Sequence, residues 1–407
     1  MAARGNVRHE ALLLLTGTPS TTYSSLKDAY SPALSQVLSE LYSPIKGTKG
    51  KSILDIAIVT RGLAAPDSEP RGRVFAHLQQ LLASFYRLLG VISVAQSVEL
   101  DGPGGVDARV FFLDDEHAGS QMPHDNMGPI IHLADFAVSG RSWNTIYSLD
   151  TPEGNVLVDG LTQTLRQQGL PNPAPTIRKV PGLTGLQPSQ AVLEKPELHP
   201  CRHYSVAVGG TFDHLHAGHK LLLTATALAI DSNPAGTPPR QRTITIGITG
   251  DELLVNKKYA EFLESWDERW RGVWAFMESI MDFASPGNRV TTTIEHVNEP
   301  GTNGKYVRVR VSSDLEMKFV QISDPFGPTI TDEAISALVV SKETRSGGKA
   351  VNDEREKKGW AALEVFEVDV LELGDSEGTE TASENFDSKI SSTEIRRRQM
   401  NLAKGNL

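Results

Sequence analysis

Short continuous apolar runs alternate along this chain with stretches whose apolar residues recur at helical spacing, and a proline-rich interval separates two such series. In the first series, residues 11–15 and 53–59 have the length and composition of buried strands, and 74–89 has helical spacing. Residues 110–113 and 130–133 predict further strands, and 156–168 a helix. Strand and helix in alternation predict an α/β domain over residues 1–170. Between 171 and 200 stand Pro171, Pro173, Pro175, Pro181, Pro188, Pro196 and Pro200, a density that excludes regular helix or a central strand and predicts an extended connector.

The second series runs from 201 to 407. Residues 204–208 form an apolar run that leads through Gly209 and Gly210 into a polar loop, and an apolar-faced helix begins near Gly218. After a Pro/Gly/Ser break, 243–248 alternates as a strand, and 267–283 is an amphipathic helix whose acidic first turn suits its N-terminus. Trp270, Trp274 and Met277 share one face of it, as core residues do. Residues 290–297 and 306–311 predict a hairpin-like insertion. Residues 319–322 predict a strand, 324–328 a rigid turn, 331–338 a short helix and 338–340 a buried strand. A charged helix over 352–358 and a strand over 365–370 follow. The span 372–387 holds six acidic residues with little apolar content, as a solvated loop does. The predicted whole is a Rossmann-like parallel-sheet domain preceded by a separate α/β domain.

Composition narrows the function. A formal charge of −10 leaves no basic footprint, so nucleic acid is not an expected partner and any anion site is local. The single cysteine, Cys201, excludes an intramolecular disulfide framework or a zinc cluster and suits a reducing compartment. The apolar run at 11–15 is too short for a membrane span, and a cytoplasmic location is expected with no membrane partner.

The chemistry concentrates at 204–229. A strand, a glycine turn and a helix leave the first helical N–H groups unpaired, with the positive end of the helix dipole at the carboxyl edge of the strand. That arrangement binds phosphate. His216 and His219 lie three apart, so both imidazoles can face one anion, and Gly218 between them lets a nucleotide approach the backbone. Thr211 adds a hydroxyl and Asp213 a carboxylate. No GxGxxG occurs in this loop and no GxxxxGK[ST] anywhere in the chain, which argues against a dinucleotide dehydrogenase and a P-loop kinase. Lys257 and Lys258, after the second strand of this domain, emerge on the same edge if the crossover is right-handed. Near the other end, Ile390-Ser391-Ser392-Thr393 opens a helix, where Ser391 or Ser392 can cap and donate to phosphate, and Arg396 follows one turn on. His117, His124 and His132 are scattered and form no constellation.

The sequence GGTFDHLHAGHK, from Gly209 to Lys220, and the later ISSTEIR resemble the HxGH and ISSTxxR signatures of the nucleotidyltransferase superfamily, over about residues 203–400. With NKK, DPFGPT and VVSKET between them, the set looks most like the eukaryotic and archaeal phosphopantetheine adenylyltransferases, in a monofunctional fungal-like form. The resemblance implies transfer of the adenylyl group of ATP to 4′-phosphopantetheine, giving dephospho-CoA and pyrophosphate. Carried over position by position, it implies that His219, His216 and Lys257 act at the reacting phosphates. Gly209, Gly210, Thr211, Phe212, Gly218, Ser391, Ser392, Thr393 and Arg396 would bind the nucleotide. Thr211 and Lys257 would hold the acceptor phosphate, joined by Lys342 or Arg345 in place of the arginine motif of bacterial members. Mg2+ is implied as the partner of ATP, with no metal-ligating cluster of the protein's own and Asp213 as the candidate contact. Two alternatives stay open: another acceptor, such as nicotinamide mononucleotide or phosphocholine, or a scaffold role in which the N-terminal region recruits other coenzyme A enzymes.

Overall fold

The computed structural model describes residues 9–17, 20–48, 50–60, 63, 70–102, 104–114, 127–167, 169, 174–186, 192, 194–195, 197–234, 237–287, 289–369, 371 and 391–405. His117, His124, the 372–387 span, Lys389, Ile390 and the prolines at 171, 173, 188 and 196 lie outside them. The chain divides into two compact units. The first is Met1–Ala65, Gln80–Val192 and Ser279–Arg289; the second is Pro66–Gln79, Leu193–Glu278 and Val290–Leu407.

In the first unit, β1 (His9–Leu15), β2 (Ser52–Val59), β3 (Val106–Asp114), β4 (Ile130–His132), β5 (Thr145–Leu149) and β6 (Thr176–Val180) form a parallel sheet in the order β4-β3-β2-β1-β5-β6. Its crossovers carry α1 (Tyr23–Tyr42), α2 (Gly72–Gln96), α3 (Leu133–Val138) and α4 (Pro152–Gln167). The apolar runs are strands because both faces of a parallel sheet are covered, and every residue of β2 is buried. The 25-residue α2 is long and apolar enough to cross a membrane, yet 67% of its most apolar window is buried within the protein, as in a core helix. Helix α1 was not foreseen, because Pro32 sits inside it and proline ordinarily interrupts a helix. Strand β6 falls in the interval expected to be an extended connector. Its position at the sheet edge is one that tolerates neighbouring prolines.

The second unit holds β7 (Ser205–Gly210), β8 (Arg242–Thr249), β9 (Thr293–Asn298), β10 (Lys305–Arg310), β11 (Leu315–Ile322), β12 (Ala337–Ser341) and β13 (Glu364–Val368) in the order β13-β12-β7-β8-β11-β10-β9. The first five in that order run parallel, and the antiparallel β9–β10 hairpin extends the sheet beyond β11. The hairpin insertion therefore adds two strands to the sheet. Helices α5 (Ala217–Ala229), α6 (Trp266–Met281), α7 (Arg345–Lys357) and α8 (Ser392–Gly405) complete it. Trp270, Trp274 and Met277 are buried, as their shared face predicts.

One predicted element is absent. Residues 331–338 are not a helix; a 3-10 turn at Gly327–Ile330 passes through bends into β12. The reason is Arg355, whose guanidinium donates to the carbonyls of Thr329, Asp332, Glu333 and Ile335 at 2.7–3.4 Å, while its Nε donates to the Ala361 carbonyl at 2.8 Å. Carbonyls gathered on one cation cannot also build a helical ladder. Arg355→Ala, which would strand these buried carbonyls, is expected to lower unfolding stability by about 3 kcal/mol or more. Urea unfolding checks this, and a loss below about 1 kcal/mol would assign the bend to some other cause.

Candidate phosphate-binding site

The strand order of the second unit reverses between the parallel neighbours β7 and β12, and the crevice outside the carboxyl ends of those strands is where open α/β sheets take ligands. Strand β7 ends there on Gly209 and Gly210. A Cβ at Gly210 would lie 3.0 Å from the Phe212 ring, so the glycine lets that ring close beneath the turn. Phe212 (φ 52°) and His214 (φ 46°) are left-handed without being glycine, a strain of about 1 kcal/mol or more each.

Surrounding contacts hold that strain. The Phe212 side chain has no exposed surface. His214 donates its amide to Glu264 Oε2 at 2.8 Å, and its Nε2 meets the Phe262 carbonyl at 2.8 Å. The Glu264 amide in turn donates to Asp213 Oδ1 at 3.0 Å. Arg269, buried on α6, donates to the carbonyls of Thr211 (2.8 Å) and Glu264 (3.0 Å) and to Asp251 Oδ1 (2.5 Å) just past β8. Arg269, Glu264 and Asp251 were missed from sequence. A charged residue on the apolar stripe of α6 was the available signal.

His216 is the extended residue before α5, and its carbonyl accepts the Lys220 amide at 2.9 Å. The His216 and His219 rings stack at 3.9 Å between centroids, inclined by 25°. A Cβ at Gly218 would meet the His216 ring at 3.2 Å, so glycine permits the stack. Both Nδ1 atoms are buried without a hydrogen-bond partner. Burial drives the His219 pKa down to about 4, opposed by its hydrogen bond with the His214 backbone. The His216 pKa is likewise lowered well below the usual histidine value, first by burial and then by the charges that His219, His214 and Lys220 would carry. Two stacked neutral imidazoles at one helix N-terminus, each with a buried Nδ1 that lacks a partner, are suited to an anion, which would supply both the acceptor and the opposite charge.

The second motif reaches the same loop. Ser391 caps α8, its Oγ accepting the Glu394 amide at 3.2 Å, and Ser392 Oγ donates to the Asp213 carbonyl at 2.7 Å. Arg396 is buried rather than presented to solvent. It pairs with the Asp213 carboxylate and donates to the Lys258 carbonyl (3.0 Å) and to Thr393 Oγ1 (3.1 Å). Arg396 thus ties three segments together: the histidine loop, the turn bearing Lys257 and Lys258, and α8. The Lys257 side chain is exposed, and Thr249 Oγ1 bonds the Gly210 carbonyl at 3.3 Å where β8 meets β7. Lys342 and Arg345, beyond β12, are exposed and pair with Asp369 and Glu367 of the neighbouring chain segment at β13.

Asp213, His214 and Glu264 offer atoms within 4.8 Å of one another, as metal ligands do. The Asp213 oxygens, however, are taken by Arg396 and the Glu264 amide, so the trio does not fit a metal cage.

Half of the chain resembles phosphopantetheine adenylyltransferases. The protein of that name from Saccharomyces cerevisiae is 35% identical over 196 residues, 48% of each chain. That from Methanothermobacter thermautotrophicus is 29% identical over 197 residues, covering 48% of this chain and 85% of the relative. An uncharacterized protein of Schizosaccharomyces pombe is 36% identical over 200 residues, 49% of each chain. The matched part is thus about half the length of the two yeast relatives. Residues 1–185 match a family described as a domain of unknown function, DUF8446.

The histidine environment has a measurable consequence. Because the folded-state pKa of His219 lies below that of an unfolded histidine, the unfolded chain binds more protons between about pH 6.5 and 4. Stability from this source is present above pH 6.5 and is lost as pH falls toward 4. Histidine NMR titration is expected to give a His219 midpoint near 4, moving upward when pyrophosphate is added. A midpoint near 6.5 that pyrophosphate leaves unmoved would contradict the buried, anion-seeking assignment.

Proposed function

We propose that the second unit transfers the adenylyl group of ATP to 4′-phosphopantetheine, giving dephospho-CoA and pyrophosphate. The observation that carries this reading is the meeting of the two motif segments at Asp213: Ser392 bonds its carbonyl and Arg396 its carboxylate. The hydroxyls that open α8 and the histidines that open α5 thereby lie around one loop. The names of the curated relatives supply the substrates.

The acceptor needs no side-chain nucleophile, because its own phosphate oxygen attacks the α-phosphorus. That P–O bond forms as the bond from the α-phosphorus to the bridging oxygen breaks, and pyrophosphate leaves with the electron pair. What the protein supplies is position and positive charge. His219 and His216, with the first amides of α5, stabilise the phosphates as charge shifts to the leaving group. Thr211 and exposed Lys257 hold the acceptor phosphate, and Ser391, Ser392 and Thr393 hold the β- and γ-phosphates. Gly209 and Gly210 give the nucleotide access to the backbone, where a Cβ at Gly209 would meet nothing within 4 Å. Arg396 acts through Asp213 as a positioning residue. Lys342 and Arg345 contribute at the acceptor side by exchanging their carboxylate partners for phosphate. Magnesium arrives as MgATP, as part of the substrate.

The test is pyrophosphate release from MgATP with 4′-phosphopantetheine, nicotinamide mononucleotide and phosphocholine offered separately. Turnover with phosphopantetheine alone is expected, with His219→Ala lowering kcat/KM by about two to three orders of magnitude. Turnover with another acceptor only would keep nucleotidyl transfer and reject the acceptor. A His219→Ala protein as active as the wild type would reject the site.

A further inference from the structure

Adenylyl transfer leaves the first unit without a role, and its chemistry is not empty. We propose that the carboxyl edge of its sheet, beneath the loop from β1 to α1, binds the phosphate group of a small molecule. The strand order β4-β3-β2-β1-β5-β6 reverses at β1, with β2 on one side and β5 on the other, so a crevice opens at the carboxyl ends of β1 and β5. Into it runs the loop Thr16, Gly17 and Ser20–Thr22 that leads to α1. Gly17 has φ 137°. The loop hydroxyls have local partners: the Thr22 amide donates to Ser20 Oγ at 3.2 Å, Thr22 Oγ1 to Ser25 Oγ at 3.0 Å, and Thr21 Oγ1 to Gln80 Oε1 at 2.8 Å. Helix α1 consequently has no side-chain cap and no acidic residue in its first turn. The first-turn amides and the dipole of a 20-residue helix are directed at the edge.

A helix N-terminus alone is no site; the buried, unpartnered hydroxyl of Thr60 beneath it is the independent observation. In β2, Ala57 and Val59 share a core cluster with Leu12, Leu14, Phe136 and Leu157, on the side of α3 and α4. Alternation then turns Thr60, the next residue along, to the opposite side, that of α1 and α2. Register pairs Leu15 with Ile58, which puts Thr60 beside Gly17. Tyr30 of α1 reaches the same point, its hydroxyl facing the Gly17 amide. Neither Thr60 nor Tyr30 has exposed surface; the Tyr30 hydroxyl is met by the Gly17 amide, whereas Thr60 Oγ1 has no hydrogen-bond partner. A buried hydroxyl in that condition is a standing cost that a ligand oxygen, or a water held in its place, removes.

Positive charge completes the set. The Arg87 guanidinium of α2 lies 4.3 Å from the ring centroid of Tyr23, the first residue of α1. Amide N–H groups, hydroxyls and a guanidinium are a donor-rich set, which a phosphate dianion matches and a neutral or cationic ligand does not.

Hydrogen exchange on the full-length protein tests this, with inorganic phosphate and 5′-AMP as separate probes. Either probe is expected to slow exchange in peptides covering residues 20–30. Thr60→Val, which keeps the side-chain shape, and Ser20→Ala should each raise the concentration required by about tenfold. Protection of residues 205–220 should be the same in both variants as in the wild type, which separates this site from phosphate held by the second unit. AMP acting well below the phosphate concentration would identify a nucleotide, and equal potency a bare phosphate group. The proposal fails if protection is confined to the second unit. It fails equally if residues 20–30 are protected alike in wild type and both variants, the behaviour of an adventitious ion only or of a trapped water. Neither failure would bear on adenylyl transfer.

Discussion

The buried ion pair between Asp213 and Arg396 is the contact on which the candidate site depends. Its partners stand 183 residues apart in sequence, and each is almost wholly removed from solvent. A buried pair costs much of its attraction in desolvation, so its contribution here is better described as fixing an arrangement than as adding stability. Arg396 also donates to the Lys258 carbonyl and Thr393 Oγ1, and Asp213 has its other oxygen on the Glu264 amide. Through one carboxylate the histidine loop, the lysine turn and the start of α8 take a common position. Arg269 does the same from the other side, joining the Thr211 carbonyl to Asp251.

These struts explain how a strained, polar loop is held in place. Left-handed Phe212 and His214 would relax if they were not held, and two imidazoles stacked at 3.9 Å would separate if both were charged. Burial keeps them neutral, and their Nδ1 atoms unpaired. In the proposed function, a loop held in this way meets what stabilising a developing phosphate charge requires.

Most of the strands and of the helices in both units were legible in the apolar pattern, because parallel strands buried on two faces read as continuous runs. Strands β5 and β6 and helix α3 went unforeseen as well as α1, and two of the errors have an identifiable cause. Helix α1 hides behind Pro32, and the helix expected at 331–338 gives way to Arg355, a residue distant in sequence that collects its carbonyls. The two ends of the site were legible as loop-to-helix junctions rich in hydroxyl, glycine and histidine. The links between them were not. Arg269 and Glu264 lie in stretches that read as an ordinary amphipathic helix and its approach, and nothing in the spacing of Arg396 shows that Asp213 would engage it. The hydroxyl of Thr60 was invisible for the same reason: only a fold discloses that a polar group is buried and unpaired.

The central claim is that two distant segments form one polyphosphate site. It is tested most directly by hydrogen exchange of the full-length protein with a non-hydrolysable ATP analogue and magnesium. The account predicts that peptides covering 209–220 and 391–400 gain protection together, over the same range of nucleotide concentration. Protection of one segment alone, or of both at widely different concentrations, would contradict it.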